Sequence, residues 1–242
     1  MRFNSAIAAG LVAVALLATG CATVPPQQAF NREAATIKTI QVLPMAESEI
    51  GLAFLNHPGQ NFGLIGGLVA ASDITSKQNK LREQMAASKL DHLAVFREEF
   101  GNAMLAQGYT LTWSEPLPAK NKVARDRWGL RKAYGAIQGA DAQLDLSLIF
   151  AGYATSGAGD ASPYRPAVHV AARLLDPSGK QNLFTDVVTY NNITNIPTAI
   201  TVNPDPQYAY PDFKQLEAAG PDVAAGMKVA LVATAKRLSE QF

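Results

Sequence analysis

Leu144, Leu146, Leu148 and Phe150 alternate with Asp145, Ser147 and Ala151 between positions 142 and 155, and this stretch restricts the fold more than any other. A period of two puts the leucines and Phe150 on one side of an extended chain, whereas on a helix the same residues would scatter around the axis. The strand therefore needs a core on one side. A second run follows at 167–175, with Val168, Val170, Ala172 and Leu174 inward and His169 and Arg173 outward. Asp176, Pro177, Ser178 and Gly179 have the composition of a turn, and 181–191 returns as the partner strand. This is an antiparallel hairpin at the end of a sheet.

Ile37, Ile40, Val42 and Leu43 are interleaved with Lys38, Thr39 and Gln41, and Pro44 stops this first strand over 37–44. Leu90, Leu93, Phe96, Phe100 and Met104 recur at steps of three and four within 73–107, while Arg97, Glu98 and Glu99 face outward, which predicts an amphipathic helix. Gly108 stands where a left-handed cap would end it, and Tyr109, Leu111 and Trp113 then alternate with Thr110 and Thr112 as a strand. In and just before 121–137, Val123, Trp128 and Leu130 lie among Lys120, Lys122, Arg125, Arg127, Arg131 and Lys132, opposed by Asp126. This reads as a basic amphipathic helix, either a solvated face or a surface for anionic lipid and polyanions. Val223, Met227, Ala230, Leu231, Thr234 and Leu238 give a C-terminal helix over 222–242. The order strand, helix, strand, helix, three strands, helix predicts an α+β fold: a mixed, largely antiparallel five-stranded sheet with helices packed on one face.

Positions 1–20 have a different chemistry. Arg2 is their only charge, and the uncharged run 6–17 is too short to cross a hydrocarbon core of about 30 Å, so the stretch reads as a signal peptide. Ala18, Thr19 and Gly20 before Cys21 resemble the bacterial lipobox. That resemblance implies cleavage before Cys21, lipidation of its sulfur and acylation of its amine. Ala22, where an Asp retains enteric lipoproteins at the inner membrane, implies an anchor in the outer membrane. The chain then divides into a signal peptide (1–20), a lipidated tether (21–29) that spaces the fold from the lipid, and a single periplasmic α+β domain (30–242).

Cys21 is the only cysteine, so lipidation leaves the domain no thiol for a disulfide, a zinc cluster or a nucleophile. Removing Arg2 turns 21 basic and 20 acidic residues into equal numbers, and a chain without net charge has no bulk attraction for nucleic acid. Hydrophobic residues make up 48 % of the chain, enough to bury a sizeable core. In its order of elements the domain, over 36–240, resembles that shared by curli-secretion and penicillin-binding-protein-activator lipoproteins. The lipobox and the pattern YRPAVHVAARLLDPSGKQNLF are similar to uncharacterised proteobacterial lipoproteins, a likeness that implies no activity.

Catalytic signatures are weak. His57, His92 and His169 have no paired-ligand spacing, so neither metal nor cofactor is expected. Gly152 and Gly157 have the gap of a phosphate loop, but Ala158 and Gly159 stand where Lys and Ser or Thr are required. Ser156 lacks the nucleophile elbow.

Two segments carry binding hypotheses. Gly59, Gly63 and Gly67, four apart, fall on one helical face and would let another backbone approach closely. Their apolar run, 62–71, reaches only about half the hydrocarbon thickness at 1.5 Å per residue. It is either a short buried helix or loop, or an interfacial contact with membrane or a second subunit. Segment 196–213 combines Pro197, Pro204, Pro206 and Pro211 with Tyr208, Tyr210 and Phe213. Such a segment either holds a partner, with Tyr164 and Arg165 as the neighbouring rim, or closes the open edge of the sheet.

The expectation is an outer-membrane lipoprotein on the periplasmic face, attached through its N-terminal lipid, that binds another envelope protein and performs no catalysis. The alternative is an oligomeric membrane-inserting or secretion-type lipoprotein using 59–71; an envelope glycan hydrolase is a more distant one. The sequence sets no oligomeric state. Cys21→Ser is expected to abolish incorporation of labelled fatty acid and to release the protein from the membrane fraction; unchanged labelling would contradict the anchor.

Overall fold

The computed structural model describes residues 25, 27–33, 36–45, 49–54, 63–115, 123–157, 162–191, 193 and 196–242. The signal peptide, Cys21 and Gly59 lie outside them. The alternating strand is β4 (Ala142–Thr155), and the hairpin follows as β5 (Arg165–Leu175) and β6 (Asn182–Tyr190), both ladders antiparallel. Two short strands share the other edge of β4. β1 (Thr39–Val42) pairs with its start, Ile40 opposite Ala142, and β2 (Ile50–Phe54) with its end, Ile50 opposite Ala151, both parallel. β3 (Thr110–Trp113) lies beyond β1, and β7 (Ile200–Val202) beyond β6. The sheet is mixed, with the long ladders antiparallel. It has seven strands rather than five, because β2, interrupted by Gly51, and the three-residue β7 are too short to show a period.

One amphipathic helix was expected within 73–107, periodic from Leu90 onward, and the structure has two helices across this range. α1 (Gly63–Ala87) begins within the glycine-rich run, and α2 (His92–Ala106) begins after Asp91, whose carboxylate accepts from the Ala94 amide at 2.9 Å. Lys89, at φ 52°, makes the turn between them. Gly108, at φ 90°, ends α2: its amide donates to Leu105 O and that of Tyr109 to Met104 O, the paired bonds of a left-handed cap. Among the described residues no helix is long and apolar enough to cross a membrane. α3 (Phe213–Ala218) and α4 (Pro221–Ser239) complete the chain.

The helices cover one face of the sheet. Phe96, Phe100 and Met104 of α2 and Val223, Met227, Leu231 and Leu238 of α4 join Leu144, Leu146, Leu148 and Leu174 in one core. Phe242 closes it at the chain end, its ring 4.7 Å from Phe184, 6.0 Å from Phe30 and 6.1 Å from Phe100. The described part of the expected tether does not hang free. Pro25 is buried, and Gln28 exchanges both backbone hydrogen bonds with Thr185, each 3.0 Å, along the edge of β6.

The second face departs from expectation. Asp145 and Ser147 were placed on the face opposite the leucines, with a core expected on one side, yet both are buried, Asp145 with no exposure at all. The described residues of 121–137 form no helix; they run as an irregular strap across this face. Leu130 packs beneath it on Ala171 and Val187, with Trp128, Ile149 and Ala199 around them. The basic residues there are neither a solvated stripe nor all exposed. Asp145 Oδ2 accepts from the Arg131 amide at 2.6 Å and the Tyr134 hydroxyl at 3.0 Å, while Arg125 Nη1 and Arg131 Nε stand 3.5 and 3.7 Å from Oδ1. The two guanidinium groups also donate to Pro44 O, at 3.0 and 3.2 Å. Arg173 reaches Tyr134 Oη at 3.3 Å. Burial pushes the Asp145 carboxyl up and the Arg131 guanidinium down, and each opposes the other's shift.

A buried charge stripped of its partner is costly, so Asp145→Ala is expected to destabilise the domain by about 3 to 5 kcal/mol in denaturant titrations. The strap, no longer clamped, should then be cut by trypsin at Arg125, Arg127 or Arg131 under conditions that leave the parent intact. Resistance equal to the parent's would show that apolar packing alone holds the strap.

Candidate functional site

Segment 196–213 is built from caps and bridges, not from a free loop. β7 adds to the edge of β6, with Val188 opposite Ile200. Asp205 caps a 3-10 turn, Pro206–Tyr208, through the Gln207 amide at 2.9 Å, and its own amide donates to Tyr190 Oη at 2.7 Å. Tyr210 exchanges both backbone hydrogen bonds with Tyr164, at 2.7 and 2.9 Å. Asp212 then caps α3 through the Gln215 amide at 2.7 Å.

These bonds bring four of the proposed binding residues together and turn two inward. Tyr164 is 5 % exposed and Phe213 9 %, their rings edge-on at 5.8 Å. Tyr210 is half-buried against Tyr153, with ring centroids 5.9 Å apart. Burial, with the Asp73 and Asp212 carboxylates, pushes the Tyr164 phenol up to about 12. Much of the segment thus covers the sheet's end and its β6 edge. Arg165 is half-buried at the start of β5, and Gly63 and Gly67 lie one turn apart at the start of α1.

Tyr208 is left partly open, and its seat depends on a glycine. A Cβ at Gly226 of α4 would stand 2.7 Å from Tyr208 Cγ and 2.7 Å from Tyr153 Oη, which donates to Val223 O at 3.0 Å. Only glycine lets both rings close on the helix. Beside Tyr208 the outer side of α4 is apolar: Ala225, Val229 and Val232 recur at steps of four and three, with Val229 37 % exposed. An outward helix side is ordinarily polar. Here a groove of about 470 Å³ runs between Tyr208 and Ala225, Val229, Val232 and Ala233, flanked by Lys228 and Lys236. A second groove, of about 490 Å³, continues past the shared Ala225 and Lys228 to Pro221 and, across from it, Ala87 and Leu90.

Eight residues separate the two lysines, about 12 Å along the helix axis. Among the described residues neither is paired with a carboxylate, unlike Lys80, which meets Glu217, and Arg237, which meets Glu240. The arrangement suits an apolar helix side with acidic groups at its margins. The inward positions of α4 follow from sequence spacing, but this outer stripe was not anticipated. Its signal was present in Ala225, Val229, Val232 and Ala233, apolar positions beyond those one buried stripe requires.

Titratable chemistry elsewhere is subdued. Burial pushes the His169 imidazole down to about 4; it sits 5.8 Å from the Phe150 ring with Asn191 Nδ2 at 3.4 Å, neutral at physiological pH. Among the described residues no group of three or more His, Cys, Asp or Glu side chains is placed to hold a metal ion.

No protein-family model matches the chain, and no curated protein matches it. Among solved structures it is similar to lipoprotein GNA1162 from Neisseria meningitidis, at 15% identity over 63% of this chain and 81% of that one, with a TM-score of 0.27. It is also similar to protein XCC0632 from Xanthomonas campestris, of family model DUF330, at 12% identity over 90% and 87% with a TM-score of 0.37. A third is the PelC dodecamer from Paraburkholderia phytofirmans, at 13% identity over 88% and 94% with a TM-score of 0.32. Overlap this low transfers nothing to the residues of the site.

Gly226→Ala is expected to cost about 1 to 3 kcal/mol through overpacking, against roughly 1 kcal/mol that alanine gains in a helix, so the net change is a loss. Adding Tyr208→Ala should return part of it. Chemical denaturation of the two variants measures the coupling; identical losses would mean that Tyr208 does not rest on α4.

Proposed function

We propose that the chain is a lipid-anchored lipoprotein of the bacterial outer membrane whose periplasmic domain binds another envelope protein and catalyses no reaction. The supporting observation is the outer side of α4, an apolar stripe between Lys228 and Lys236 with Tyr208 seated beside it. The partner that fits is an amphipathic helix laying its apolar side along Ala225, Val229 and Val232, with carboxylates about 12 Å apart facing the lysines. Tyr208 is the aromatic anchor of that contact. The neutral state of His169 and the buried phenols of Tyr153 and Tyr164 favour a binding role over acid–base work.

A photocrosslinking residue placed at Val229 in cells should trap one discrete species. Lys228→Glu combined with Lys236→Glu should erase that species and leave the melting temperature within a few degrees, because both lysines are exposed. Crosslinks that survive the double charge reversal would contradict an acidic helical partner; absence of any species from Val229 would contradict the surface.

A further inference from the structure

Gln27 and Gln28 are held at the edge of the sheet, which limits how the domain can stand on a membrane. Gln28 is joined to Thr185 by two backbone bonds and its side chain donates to Asn182 O at 2.7 Å. Gln27 Nε2 donates to Asp186 Oδ1 at 2.7 Å and to Thr198 O at 2.5 Å. Pro25 is buried. Cys21 lies four residues before Pro25, so its Cα stands within about 14 Å of that point however the intervening chain runs. A domain of this length has a radius of gyration of about 17 Å. The leash is shorter than the body is wide, and the domain cannot turn its far side to the lipid.

We infer that the corner formed by Pro25, Gln27, Gln28, the 196–199 turn and Trp128 is held against the phospholipid headgroups, with the β3 edge directed away. The inference rests on lipidation of Cys21, part of the function proposed above. The corner has side chains for such a surface. Pro197 and Thr198 are exposed, and Trp128 and Ala199 pack on the same buried residues, Leu130, Ala171 and Val187. The Arg127 guanidinium lies over the Trp128 ring at 5.8 Å. Indole rings favour the headgroup layer and guanidinium groups bind its phosphates. Thr112 of β3 lies five strand spacings from β7, about 24 Å.

Since lipidation consumes the only cysteine, Thr198→Cys and Thr112→Cys each provide a single thiol for a fluorophore in the full lipidated protein. The probe is a vesicle of phosphatidylethanolamine and phosphatidylglycerol containing headgroup spin-labelled lipid. Quenching is expected to be severalfold stronger at 198 than at 112. Gln28→Pro, which removes the amide donated to Thr185 and lengthens the leash, should shrink that difference. Equal quenching at the two sites of lipidated protein, or a difference untouched by Gln28→Pro, overturns the orientation. Failure of Cys21 to incorporate labelled fatty acid instead removes the anchor, and with it both readings.

Discussion

Asp145 sits in the middle of β4 with no solvent exposure, and taking a carboxylate out of water costs several kcal/mol unless donors and cations surround it. Here they come from one irregular strap: the Arg131 amide, the Tyr134 hydroxyl and the Arg125 and Arg131 guanidinium groups. Once these are in place the strap has little freedom, and Leu130 is carried down onto Ala171 and Val187. Both faces of the longest strand are then covered, one by helices and one by a chain without regular structure. Asp145 Oδ1 receives no hydrogen bond, so on that side the clamp is purely an ion pair.

On the opposite face α4 connects the core to the outside. Its inner residues fill the space over β4, β5 and β6, and its Gly226 admits Tyr153 from the sheet and Tyr208 from the connection. The same helix presents Ala225, Val229 and Val232 outward between lysines. A rigid helix backed by the core is a suitable platform for recognition, because little order has to be imposed when a partner arrives. The first described residues lie at the β6 edge, where Gln28 pairs with Thr185, while the last helix carries the outward apolar stripe.

Much of this was legible from residues alone. Period-two alternation identified β4 and β5, the turn at 176–179 identified β6 as the returning strand, and the steps of three and four within α2 identified Phe96, Phe100 and Met104 as core. These signals are strong because each reports an element with one buried side. The reading failed where burial was two-sided or the element short. The Asp and Ser of β4 look solvated by pattern, although a strap covers them. Val123, Trp128 and Leu130 among basic residues read as an amphipathic helix, although Arg125 and Arg131 point at Asp145, 20 and 14 residues further along the chain. Tyr208 and Tyr210 of 196–213, with Tyr164 as their rim, were recognisable as unusual, but their division between a buried Tyr164, a half-buried Tyr210 and a partly open Tyr208 depends on bridges to β5 and β6.

The sequence by itself determined the fold class, the hairpin and the inner faces of the second and last helices, because these depend on local spacing and composition. Tertiary structure alone decided that Asp145 is buried, that the chain near Pro25 and Gln28 is docked and that α4 has an uncovered apolar side. Each of these depends on which distant segment comes to lie against a residue, and no local period records that.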